Sequence, residues 1–119
     1  MKKILSAIMA IAMLCTFAAL FTSCGGSGEE FVIGITYFEP MNYFDENNKL
    51  IGFDTELAKA VFEGMGYTVR FEQIEWSNKY TDLASGTIDC IWNGFTANTT
   101  DDDGVARADK VDFSYNYME

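Results

Sequence analysis

Residues 68–92 read TVRFEQIEWSNKYTDLASGTIDCIW, and this stretch decides the fold. Residues 68–74 mix β-branched, aromatic and charged side chains in the manner of a half-buried strand. Ser77 or Asn78 is placed to cap a short helix with Tyr80, Leu83 and Ala84 inward, and Gly86 is a natural stop for it. Residues 88–92, IDCIW, form a mostly apolar strand. A short helix between two apolar strands predicts parallel pairing with a right-handed crossover.

The same order extends toward the N-terminus. Residues 31–37, FVIGITY, read as a first strand. Tyr43-Phe44 and Leu50-Ile51 flank DENNK, where asparagines tolerate positive φ, which predicts a β-hairpin. Asp54 is the expected N-cap of a helix with Glu56 in its first turn. Leu57, Ala58, Val61, Phe62 and Met65 recur at helical spacing, and Gly66 ends the run. The predicted order is strand, helix, strand, helix, strand, with no internal repeat and, at 119 residues, one domain at most. Toward the C-terminus, Asp101-Asp102-Asp103 before Gly104 reads as a solvated loop, without the spacing of an EF-hand.

Composition narrows the function. The net charge is −10, and loss of Lys2 and Lys3 with the N-terminal segment takes it to −12. Such acidity disfavours nucleic acid, whose binding depends on Lys and Arg neutralising phosphates, and electrostatic docking on anionic lipid. The sequence has no histidine, no phosphate loop and no cysteine cluster, so neither a metal nor a nucleotide cofactor is predicted.

The chain opens with Met1-Lys2-Lys3 and an apolar run over residues 4–20, followed by Phe21-Thr22-Ser23-Cys24 and a glycine-rich stretch. A basic start, an apolar middle and small residues at the end predict an export signal over residues 1–23. An uncleaved membrane anchor is the alternative, although the run is short for a hydrocarbon core of about 30 Å. The small residues ending in Cys24 resemble the lipobox of bacterial lipoproteins, with Phe21 standing where leucine is usual. The resemblance implies lipidation of Cys24 and a membrane-held protein outside the cytoplasm. Residues 24–30 are then a flexible tether, and residues 31–119 the folded part. Of the three cysteines, Cys90 is left in that part, within an apolar run, and an inert thiol is expected there.

Ligands of open parallel α/β sheets bind beyond the carboxyl ends of the strands. Tyr37, Phe38 and Glu39 follow the first strand, Glu75 and Trp76 the second, and Asn93, Gly94 and Thr96 the third. Aromatic walls over a polar floor suit a small polar metabolite. Each residue also has a structural alternative. Trp76 and Phe38 could cover sheet ends, Asn93 and Thr96 could serve turns, and Gly94 could relieve a tight backbone.

Four segments carry a family resemblance: Gly52-Phe53-Asp54 with Glu56-Leu57-Ala58, residues 83–89 (LASGTID), Asn93-Gly94-Phe95-Thr96, and Val111-Asp112-Phe113-Ser114. Residues 31–119 resemble the first lobe of bacterial extracellular solute-binding proteins of family 3, which capture polar amino acids for ABC importers. The resemblance implies an α/β fold, a periplasmic-binding-protein type II-like first lobe with a parallel βαβαβ sheet, incomplete because the second lobe is absent. It implies that Phe38 and Trp76 sandwich the ligand, that Asn93, Gly94 and Thr96 hold its carboxylate, and that an arginine clamps the same group. The usual spacing puts that arginine near Asp101. The candidate present is Arg107, displaced by a loop insertion over residues 99–104, or else a surface arginine among acids. Glu39 either meets a ligand ammonium or sits exposed.

The implied partners are an amino acid, an ABC permease and, through the lipid, the membrane. A single lobe implies marginal stability, an exposed sheet edge and weak capture. Other readings are a dehydratase of cyclic amino-acid precursors using Glu39 or Glu75, a sensor input module, and a non-functional truncated receptor.

Overall fold

The computed structural model describes residues 28–118. The signal segment and Cys24 lie outside the described residues. The described residues form five strands and two α-helices, in the order β1 (Glu30–Ile35), β2 (Tyr43–Phe44), β3 (Leu50–Ile51), α1 (Phe53–Gly64), β4 (Thr68–Gln73), α2 (Lys79–Ala84) and β5 (Cys90–Ile91). Single 3-10 turns over Trp76–Asn78 and Arg107–Asp109 complete the order. The main sheet is parallel, β4-β1-β5, as the apolar strands and intervening helices predict. β1 begins at Glu30, and the Glu29 carbonyl already accepts from Thr68 N–H, so the paired region starts just before the expected Phe31.

β1 is central because it is apolar on both faces. Ile33 and Ile35 are buried and meet Ala58 of α1, with Phe31, Leu50, Phe62, Val69, Phe71 and Trp92 packed around them. The rings of Phe31 and Phe62 stack at 4.0 Å. Between the two isoleucines, Gly34 leaves room for its neighbours. A Cβ there would stand 2.6 Å from Ile88 Cδ1 and 3.4 Å from Ile74 Cδ1. β5 is the shorter partner, and a side chain reinforces it: the Asp89 carboxylate accepts from Val32 N–H at 2.8 Å.

The hairpin forms where expected, with Tyr43 opposite Ile51 and Phe44 opposite Leu50. Asn48 takes φ 59, and Asp45 Oδ1 accepts from the N–H groups of Asn47 and Lys49.

Two helix details differ from expectation. Gly52, not Asp54, occupies the N-cap position of α1. Its φ of 127 and a site where a Cβ would lie 2.2 Å from the Met41 carbonyl oxygen require glycine. Asp54 falls inside the first turn, where it is buried and accepts from the Tyr117 hydroxyl at 2.9 Å. In α2, Asn78 is at the cap without a side-chain cap bond, Ala84 is exposed, and the buried residue is Lys79. A lysine goes inside there because aromatic faces receive its ammonium. Among the described residues no helix is long and apolar enough to cross a membrane.

Candidate functional site

The carboxyl ends of β1, β4 and β5 open into one cavity of about 450 Å³. Thr36, Tyr37 and Phe38 line it from β1, Trp76 from β4, Asn93, Gly94 and Thr96 from β5, and Arg107 from the second 3-10 turn. Six of the seven ligand-site residues read from the sequence therefore converge. The exception is Glu39, which is exposed at the tip of a turn and does not line the cavity. Its neighbour Phe38 is held by that turn, donating its N–H to Asn42 O and accepting from Met41 N–H, each at 2.7 Å. Asn42 is itself buried and accepts from Thr55 Oγ1 of α1 at 2.9 Å. The helix thus anchors the turn that carries the aromatic wall.

Trp76 is fixed from below. Its indole meets the ring of Phe95 edge-on at 4.9 Å. The Lys79 ammonium lies 4.7 Å from the indole centroid and 4.4 Å from that of Tyr80, and donates to Trp76 O at 3.2 Å. Cation–π attraction makes such a buried ammonium tolerable. On the cavity floor, Asn93 Nδ2 donates to Thr36 Oγ1, and Asn93 Oδ1 accepts from Gly94 N–H at 2.9 Å.

Arg107 reaches the cavity from the end of a closed loop. Thr100 and Ala106 pair as an antiparallel bridge, and Arg107 N–H donates to Thr99 O at 3.1 Å. These contacts close residues 100–106 into a loop that ends beside the site. Its guanidinium lies over Phe95, with Cζ 4.8 Å from the ring centroid. Nε donates to Asp101 Oδ1 at 2.9 Å, and Nη1 donates to Thr96 O at 3.1 Å.

Asp102, Asp103 and Gly104 are exposed, as the composition predicts, but Asp101 is not. The Asp101 side chain is only 13% exposed. Its Oδ2 accepts from the Tyr80 hydroxyl at 2.5 Å and from Lys110 Nζ at 3.0 Å. Asp103 also pairs with Lys110, at 2.7 Å. Two cations and a phenol offset the charge of Asp101, so its side chain turns inward. The bond from Tyr80, with those from Arg107 and Lys110, holds the Asp101 carboxyl well below the usual carboxylate range. Burial, then the Asp101 bond, raises the Tyr80 hydroxyl.

Sequence reading missed Asp101, Tyr80, Lys79 and Phe95 as parts of the site. Helical spacing flagged Tyr80 as inward, but nothing local pairs it with residue 101. Cys90 behaves as the sequence predicts: burial, with some help from the Asp89 carboxylate, pushes its thiol up to about 12.

A polar floor, two aromatic rings and one oriented guanidinium are chemically suited to a small carboxylate-bearing solute. Comparison with known proteins gives the same direction. The family model for bacterial extracellular solute-binding proteins, family 3, matches residues 31–119. The arginine-binding extracellular protein ArtP of Bacillus subtilis (strain 168) is 30% identical over 122 residues, covering 96% of this chain and 44% of ArtP. The chain thus spans less than half the length of that relative. An ABC uptake transporter substrate binding protein from Streptococcus pneumoniae, solved with bound histidine, superimposes with a TM-score of 0.63 at 41% identity, over 75% of this chain and 34% of that one. The arginine-bound form of domain 1 from TmArgBP matches with a TM-score of 0.53 at 28% identity, over 56% of this chain and 54% of that one. The parallel α/β sheet is that of part of a type II periplasmic binding protein. The chain belongs to the bacterial extracellular solute-binding proteins, family 3.

Proposed function

We propose that this chain supplies one wall of an amino acid receptor that captures its ligand outside the cytoplasm for an ABC importer. The observation that carries the reading is the meeting of Phe38, Trp76, Asn93, Gly94, Thr96 and Arg107 around one cavity at the strand ends. The ligand's side chain or backbone lies between Phe38 and Trp76, and its carboxylate faces Arg107 above the Asn93–Thr96 floor. Planar guanidinium matches a carboxylate in geometry and charge. Among the described residues no carboxylate lines the cavity, so the partner for the ligand ammonium comes from outside the lining residues.

The capture is without chemistry. Glu39 and Glu75, the two acids that a dehydratase on this scaffold would call on, are exposed and do not line the cavity. A one-lobe receptor is compatible with capture, since domain 1 of TmArgBP has an arginine-bound form. A lipid on Cys24 holds the receptor at the membrane and raises its effective concentration near a permease. Changing Cys24 to serine is expected to release the protein from the membrane fraction.

Titration of the full-length protein with L-arginine, L-histidine and L-cystine, followed by Trp76 fluorescence in a Trp92→Phe background, tests the reading. Saturable binding of at least one amino acid, without turnover of prephenate or arogenate, is expected. Absence of saturation by the whole amino acid panel at millimolar ligand overturns it.

A further inference from the structure

We propose that Asp101 is a positioning residue that presents the Arg107 guanidinium to the carboxylate of the ligand. This deepens the amino acid reading and rests on it.

A guanidinium has five N–H donors in one plane. Nε–H is taken by Asp101 Oδ1, and one Nη1 hydrogen by Thr96 O. The face of the group rests on Phe95. Among the described residues, both hydrogens of Nη2 and one of Nη1 remain for a ligand. Two edge contacts and one face contact leave the plane little freedom to turn.

Asp101 is in turn unable to follow Arg107 if it swings. Its Oδ2 is held by Tyr80 from α2 and by Lys110 from the end of the second 3-10 turn. The carboxylate therefore ties three separate parts of the chain together, six residues from the arginine it orients. The neighbouring charges reinforce the arrangement. Lys79, Lys110 and Arg107 all surround this point, and Asp103 pairs with Lys110. Removing the Asp101 charge leaves three cations to repel one another, and Arg107 loses its reason to stay edge-on. A donor set ordered before the ligand arrives loses less entropy on binding.

The test uses the full-length protein in detergent with L-arginine and L-argininamide, and with L-histidine and L-histidinamide. Wild type is expected to bind the acids more tightly than the amides. Asp101→Asn is expected to weaken acid binding by about tenfold or more, the effect of losing one well-aligned hydrogen bond to a charged group. It should leave amide binding within about twofold, because the amide makes no such bond to Arg107. Asp101→Glu should recover part of the preference. Tyr80→Phe, which removes one restraint on Asp101, should narrow it by about two- to threefold even if Asp101→Asn does not fold. Equal weakening of acid and amide makes Asp101 a purely structural residue and overturns the proposal while leaving the receptor reading intact. Failure of wild type to bind any of the four ligands or the wider panel overturns both.

Discussion

On one side of β1, six consecutive residues of β4 pair with it, from Glu30 opposite Thr68 to Ile35 opposite Gln73. On the other side β5 contributes two, Cys90 and Ile91. The β4 flank is a backbone ladder under an apolar lid, where Phe62, Val69 and Phe71 pack on the isoleucine core. The β5 flank is tied by polar side chains from far away. Asp89 reaches Val32 across 57 positions, and Tyr117 reaches Asp54 across 63. Beside β5 runs a broad apolar groove of about 900 Å³, lined by Phe62, Trp92, Phe113 and Tyr117 among others. The contrast shows two ways of securing a strand. Where the ladder is long, local pattern suffices. Where it is short, buried or charge-assisted hydrogen bonds hold the segment, and Asn93, Gly94 and Thr96 of the cavity floor follow that strand.

The largest expected effect comes from the strand that both flanks share. Ile33 is opposite Phe71 on one side and Cys90 on the other. Ile33→Ala should cost roughly 2–5 kcal/mol in denaturant unfolding, because the site is fully packed. A loss below about 1 kcal/mol would mean that β1 is not the common core.

On the β5 flank, Tyr117→Phe leaves the buried Asp54 carboxylate without a hydrogen bond from the described residues. It should cost about 1–3 kcal/mol. Burial, then the Asp54 bond, raises the Tyr117 hydroxyl, so the donor stays protonated across the accessible range. An unchanged unfolding midpoint in this variant would show that the tail is not needed to hold β5.

Asp89→Ala should act more locally, by about 1 kcal/mol. Hydrogen exchange sharpens the comparison. Amides of Val32 and of residues 90–92 should exchange faster in this variant, while those of β4 stay protected. Uniform acceleration across both flanks would erase the distinction between them.

The smallest effect is a pH dependence. The Asp101 carboxyl is depressed in the folded protein, so its contribution is fully present above the ordinary aspartate range, about 3.9. It is lost as pH falls through the folded value. Stability of the wild type should therefore decline more steeply below about pH 5 than that of Asp101→Asn. Parallel curves would remove Asp101 from the set of ties that hold the site.

Much of the β4 flank was legible in the sequence. Residues 53–64 carry helical periodicity and residues 68–73 a strand pattern, and both properties are local. So was the position of most site residues, because a parallel sheet brings its strand ends together whatever the loops do. Phe38, Trp76, Asn93, Gly94 and Thr96 followed from that rule, aided by the family resemblance. Asp101 did not. Three aspartates in a row look solvated when read alone, and only folding brings Tyr80, Arg107 and Lys110 to one of them. Lys79 was equally hidden, since a lysine on a short helix is ordinarily outside, and the aromatic faces that accept it come from Trp76, Tyr80 and Phe95. Glu39 followed the right strand yet sits outside the cavity, because the turn from Phe38 to Asn42 carries it past the rim. The sequence by itself therefore determined the strands, the long helix and the end of the sheet where the cavity opens. Tertiary structure alone decided which charges face one another there, because electrostatic partners are chosen by distance in space and not along the chain.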